Sequence, residues 1–461
     1  MALDPDLKAA IAVTRFGLGA KPGQIARVRS DPIGWLRGQI RSEGADQPQA
    51  NAQTSAQRFL QLREYQQTLQ QTRADGGPKP DPVKMAGQLI REDTGADFLA
   101  RAQLAARTDA DFRERWALFW FNHFTVSANK LATATLVGPF EQEAIRPNVF
   151  GKFGDMLAAS STHPAMLLYL DQAESVGPDT MAAMFLSRGG KKAGLNENLA
   201  REIMELHTVG VDAGYTQADV TEFARAMTGF SIGGLRESPD KAGKFMFRAA
   251  AHEPGPRTIM GKRYGEEGGQ QALAVMRDLA ASPHTAHHLA TKLATHFVAD
   301  QPPPGLVARL ERSYMSNGGD LGDLARTLVS APEAWDPQPS KFKTPYEFMV
   351  SSWRAGDTAP DDLAQVAPIL NEMGQKPFSA PSPKGWDEMA ATWCAPDAVI
   401  KRMAWSENLA ARALGDRDPN QLARDALGER LTPLVAKAIS HAETRQEGMA
   451  ILLMSPEFQR R

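Results

Sequence analysis

Residues Leu195–Gly229 read LNENLAREIMELHTVGVDAGYTQADVTEFARAMTG. Apolar Leu195, Leu199, Ile203 and Leu206 recur at spacings of four, four and three, which is one face of an α-helix. At about 100° per residue, Asn198, Glu202 and Glu205 fall in a polar stripe beside that face, with Arg201 next to it. His207 projects elsewhere. Gly210 and Gly214 end this helix, and Thr216 with Asp219 three residues later is the capping box of a second one. Its core positions are Val220, Phe223, Ala224 and Met227, and Gly229 closes it. The segment is a helical hairpin, 195–229, with an acidic stripe and one histidine.

The same periodicity extends over most of the chain, which is therefore expected to be mainly α: a large multi-helix single body. Residues 1–40 read as N-terminal helices of that body. Residues 41–84 read as a peripheral helical arm, in which Phe59, Leu62 and Tyr65 give one narrow apolar stripe, followed by a mobile loop ending in RADGGPKPDP. Residues 85–461 read as the main body. Asp111–Phe124 carries Trp116, Phe119, Trp120, Phe121 and Phe124, an aromatic density that demands burial. Proline in the first turn makes His163-Pro164 and Ser282-Pro283 helix starts. Ser175–Gly194 reads as a long loop beside the acidic stripe. The stretch 245–261, with HEPGP at its centre, reads as one small β-hairpin.

Further stretches complete a resemblance. RFGLG (Arg15–Gly19), WFNHF (Trp120–Phe124), HPAMLLYLD (His163–Asp171), HEPGPRTIMG (His252–Gly261), ATHFVAD (Ala294–Asp300) and KTPYEF (Lys343–Phe348) accompany NEN-x-ARE-x-x-ELHT-x-G-x-D-x-GYTQ-x-DV at Asn196–Val220. Together they resemble the signature of a bacterial family catalogued as domain of unknown function 1800. The resemblance covers nearly the whole chain and implies a mostly helical fold with no established activity. It also implies a partner, because such proteins are often encoded beside an exported protein of the domain of unknown function 1501 family.

The 52 basic and 54 acidic residues nearly cancel, without the basic excess of a nucleic-acid binder. The single cysteine, Cys394, excludes an internal disulfide framework and a thiolate-rich metal site. MALDPDLKAAIAV is not a secretory signal, and no apolar run has the length of a membrane span. The expected compartment is the cytoplasm, with the periplasm as the alternative if the protein is co-exported with a partner.

Two readings of Asn198, Arg201, Glu202 and Glu205 stand open. Carboxylates one turn apart can divide acid and base roles or ligate a hard cation. Alternatively Arg201, four residues from both Glu197 and Glu205, ties the stripe into an ordinary ion-pair lattice. His207 caps its own helix end, or joins His252 and His123 around zinc or iron with a Glu from the central helix. His284, His287, His288 and His296 on one helix read as a solvated or partly buried face. No G-x-S-x-G elbow is present. Two functions follow: a metal-assisted or acid/base hydrolase-like enzyme whose acidic helix and histidines line a cleft, or a non-catalytic companion that binds an exported partner protein or an envelope glycan.

Overall fold

The computed structural model describes residues 3–50, 53–74, 88, 90–189, 194–234, 237–413 and 417–461. Its helices begin in one recurrent way. A short polar side chain accepts the orphan N–H groups of the first turn, and proline, which has no N–H to lose, follows it. Asp31–Pro32, His163–Pro164, Ser282–Pro283, Thr344–Pro345 and Thr432–Pro433 are all built so. The capping box expected at Thr216 and Asp219 is present at the start of Gln217–Met227, and Thr344 with Glu347 forms another.

The aromatic helix, Asp111–His123, runs through the core, with Trp116 and Trp120 fully buried and the Trp116 indole N–H donating to Val149 O at 2.7 Å. Pro283–Phe297 packs beside it: the Phe297 ring lies 5.9 Å from Trp116 and 6.0 Å from Phe112. One connected set of buried apolar residues reaches from Ile11 to Phe458. The ends of the chain close on each other: Arg461 pairs with Lys341 through both backbone N–H groups, and Arg430 donates to the Thr14 hydroxyl.

The first turns of the arm helix, Ser55–Ala74, bury Phe59 and Leu62 and set Arg58 against Asp97 at 2.8 Å in an ion pair closed to water. The loop expected after it, from residue 75 through Pro82, lies outside the described residues. Four short strands make two separate antiparallel pairs. β1 (Phe230–Ile232) pairs with β2 (Phe245–Phe247), and β3 (Arg257–Ile259) with β4 (Lys262–Tyr264). HEPGP thus joins two sheets instead of closing one hairpin over 245–261. The closing turn is at Met260–Gly261, both at positive φ (48° and 77°), as a two-residue turn matched to strand twist needs.

The stretch 175–194, expected as loop, contains an eight-residue helix, Met181–Arg188, which Thr180 caps by accepting from Ala183 N–H at 3.2 Å. The central helix is shorter than its apolar spacing suggests. Leu195 precedes it, Asn198–Glu202 is α-helical, and Ile203–His207 forms a wider π turn. Similar π turns occur at Ala12–Phe16 and Glu141–Ile145. Such turns are rare and frequently sit at functional sites.

Candidate functional site

Arg201 is committed. Its guanidinium donates to Glu197 Oε2 at 3.1 Å and to Gln217 Oε1 at 2.8 Å. Glu197 also accepts from Gln217 Nε2 (2.7 Å) and Thr221 (2.6 Å), and these bonds hold its carboxyl below the ordinary value. The lattice foreseen for the stripe therefore exists on its Glu197 side, where it staples the central helix to Gln217–Met227. Glu202 and Glu205 stand outside it. Both are partly buried, and neither has a hydrogen-bond or ion-pair partner among the described residues. Burial, and then the charge of Glu205, push the Glu202 carboxyl above its ordinary value, while Arg201 opposes them. Two tyrosines lie within electrostatic reach. Burial and the Glu202 charge push Tyr169 up to about 12, and burial with Glu205 raises Tyr215, so both phenols stay protonated. Asn198 is exposed at the start of the helix, where its N–H donates to Asn196 Oδ1 at 2.9 Å.

His207 does not cap its own helix. It lies in the core, and neither ring nitrogen has a partner among the described residues. Other histidines do the capping: His288 Nε2 donates to Leu206 O at 3.0 Å and His123 Nε2 to His207 O at 3.1 Å. Each thereby satisfies a terminal carbonyl that the π turn leaves without an intrahelical donor. His123 and His207 have ring centroids 5.8 Å apart, with His288 at 6.5 Å from His123. Gly210, at φ +80°, lets the chain leave beside this cluster, since a Cβ there would sit 3.0 Å from His288 Nδ1. Burial, followed by the charge of Lys292, holds all three imidazoles neutral: His207 falls to about 3, His288 to about 4, and His123 well below the ordinary range.

His252 is placed elsewhere. Its ring bonds Thr228 O at 2.9 Å and packs on Phe247 at 5.2 Å. The structure thus joins His123 with His207 and puts His288 in the place expected for His252. Among the described residues, no group of three or more His, Cys, Asp and Glu side chains is arranged to hold a metal ion.

A cleft on another side of the aromatic helix escaped sequence reasoning. Arg115, Asn122, His296, Glu347, Trp386 and Glu388 contribute to its wall. Stretches of RFGLG, WFNHF, ATHFVAD and KTPYEF converge on it. His296 Nδ1 donates to Glu388 Oε1 at 2.8 Å, and its Nε2 accepts from Arg115 Nε at 3.3 Å. Glu347 takes both Arg115 and Arg461. Asn122, His296 and Glu347 were in the quoted motifs, whereas Arg115, Trp386 and Glu388 lie outside them, and each charge taken singly looks like surface.

The fold and site are those of a mainly helical protein with an unpaired, phenol-flanked pair of carboxylates on a helix whose end is pinned by buried histidines. Residues 11–460 match the family described as protein of unknown function DUF1800, and the chain belongs to it. No curated protein and no solved structure matches it. Among the described residues, no helix is long and apolar enough to cross a membrane.

Proposed function

We propose that the protein is a hydrolase-like acid/base enzyme acting at Glu202 and Glu205. One observation carries this reading: two partly buried carboxylates are left without a partner among the described residues, while the neighbouring Arg201 is bound to Glu197 and Gln217. An unpaired buried charge is costly, and proteins keep such groups where a ligand completes them. Burial also raises the Glu202 carboxyl above its ordinary value, which suits the acid of an acid/base pair. Glu202, its carboxyl raised by burial, takes the role of the acid that gives a proton to a leaving-group oxygen. Glu205 takes a proton from water, whose oxygen forms the new bond as the old one breaks. The Tyr169 and Tyr215 phenols donate hydrogen bonds to an oxygen-rich substrate, and solvent returns the proton from Glu205 to Glu202. On this reading the protein works in the cytoplasm.

The test is turnover of a panel of chromogenic glycosides and esters by the full chain. The expected result is hydrolysis that Glu202→Gln and Glu205→Gln each reduce by about 10²-fold or more, with folding intact. Hydrolysis that both variants retain, or none on any substrate, removes the reading.

A second reading has its own support. Met181, Met184 and Phe185 are 56–65% exposed at i, i+3 and i+4 of one helix. Concentrated apolar exposure of this kind marks interaction surfaces. It fits a non-catalytic companion of an exported partner, such as a protein of the domain of unknown function 1501 family, or of an envelope glycan, with co-export to the periplasm. Met184→Asp with Phe185→Asp should then abolish co-elution with such a co-expressed partner. Unchanged co-elution discards that surface.

A further inference from the structure

The cleft beside the aromatic helix has no part in the chemistry assigned to Glu202 and Glu205. Its cavity volume is about 80 Å³, several times the roughly 10–15 Å³ that one water needs. Phe98, Phe121, Val126, Leu370, Phe378 and Trp386 give it apolar walls, with polar groups set between them, the usual make-up of a small-molecule site. What those polar groups still lack decides which ligand fits.

The acceptors are already used. Glu347 takes Arg115, Arg461 and the Thr344 N–H, and Asp387 takes the Met389 N–H and the Thr392 hydroxyl. Glu388 takes His296 on one oxygen, and its other oxygen is closed to water. His296 has both ring nitrogens engaged, so it serves as wall and not as base. The donors are in the opposite condition. Arg101 gives Nη1 to Glu141 at 3.4 Å, a loose bond, because Arg146 holds that carboxylate at 2.6 and 2.9 Å. Its Nε is closed off, but its Nη2 is neither closed off nor bonded among the described residues. Gln375 accepts the Tyr346 N–H on Oε1 at 2.8 Å, which fixes its amide and leaves Nε2 open and unbonded among the described residues. The Trp386 indole N–H is likewise open and unbonded there, while the Asn122 amide grips its backbone at 2.7 and 3.0 Å. Lys376, exposed, adds an ammonium without a partner among the described residues.

The open hydrogen-bonding capacity of the cleft is thus donor capacity, and two of its bearers are cations. The Phe121, Tyr346, Phe378 and Phe98 rings frame Arg101, with centroids 4.8 to 5.5 Å from its guanidinium carbon. Rings so placed fix the plane of a fork that suits carboxylates. We propose that the cleft binds a small carboxylate with a short branched or aromatic body, its charge on Arg101 and Gln375 and its body among the Phe121, Phe378 and Trp386 rings. The site is separate from Glu202 and Glu205 and does not depend on their role.

The experiment is a ligand-observed NMR titration of the full chain with benzoate and isovalerate at constant ionic strength, beside benzylamine and benzamide. Wild type should bind a carboxylate saturably, and about tenfold or more tightly than the amine or the amide, as a charge-assisted bond requires. Gln375→Glu keeps the acceptor that Tyr346 uses and puts an oxygen where the free donor stands. It should weaken the carboxylate by about tenfold or more. Arg101→Gln should do the same and abolish the preference over benzamide. No saturable binding of either carboxylate overturns the proposal, as does equal or tighter binding of the amine or the amide. Wild-type carboxylate affinity in Gln375→Glu also overturns it. Should Arg101→Gln not fold, Gln375→Glu decides alone, since that side chain is only partly buried.

Discussion

Glu205 differs from its neighbours in what it lacks. Glu202 shares that lack, whereas Glu197 takes three donors and Arg201 takes two acceptors among the described residues. In the folded state the charge of Glu205 acts against that of Glu202, with Arg201 opposing it, and in the unfolded chain the two carboxylates separate. Glu205→Gln removes that repulsion and keeps the shape, so chemical denaturation should find stability unchanged or higher. Arg201→Ala breaks a partly exposed i,i+4 pair, 37% and 29% open to solvent at its two ends, and should cost well under about 1 kcal/mol. A marked loss of stability in Glu205→Gln would mean that Glu205 has a structural partner after all, and the acid/base assignment would go with it.

At the scale of elements, the central helix is held at its C-terminal end by histidines from two other helices. Capping boxes, proline starts and apolar spacing are local, which is why Thr216–Asp219 and the aromatic helix were legible in the sequence. The π turn was not, because it is set by what His123 and His288 offer to Leu206 O and His207 O from 83 or so residues away in either direction. The arrangement has a pH signature. A histidine whose folded value lies below its unfolded one resists a proton that the unfolded chain accepts at about 6.5. Stability is therefore full above about pH 6.5 and falls as the pH drops toward the folded values of about 4 for His288 and about 3 for His207. Each such histidine contributes a slope of about 1.4 kcal/mol per pH unit within that window. His207→Leu removes one proton from the difference without breaking a hydrogen bond, since its ring makes none among the described residues. Urea denaturation between pH 4.5 and 7.5 should show a slope shallower by about one proton, with stability near pH 7 changed by less than about 1.5 kcal/mol. An unchanged slope would show that the ring is already protonated in the folded state.

For the whole molecule, the helical class could be read from composition and periodicity, but the interior charges could not. Arg15, Arg115, Glu347 and Arg430 each look like surface residues in their own segments, and only closure of the chain on itself brings them together. That closure also bears on how the molecule unfolds. Phe458 is buried against Phe348 at 6.3 Å and under the Lys343 ammonium, and it belongs to the same connected core as Ile11. If the C-terminal segment is integral to that core, Phe458→Ala opens a cavity felt by the entire fold. It should cost roughly 3–5 kcal/mol, a large part of a typical 5–15 kcal/mol stability. Phe185, 65% exposed on its helix, provides the control, because its replacement by Ala opens no cavity and should stay within about 0.5 kcal/mol. Calorimetry distinguishes the alternatives. One cooperative transition displaced to lower temperature means a single core. A small early transition split from an unchanged main one means that the segment carrying Phe458 unfolds by itself, and the continuity argued from Ile11 to Phe458 does not extend to energetics.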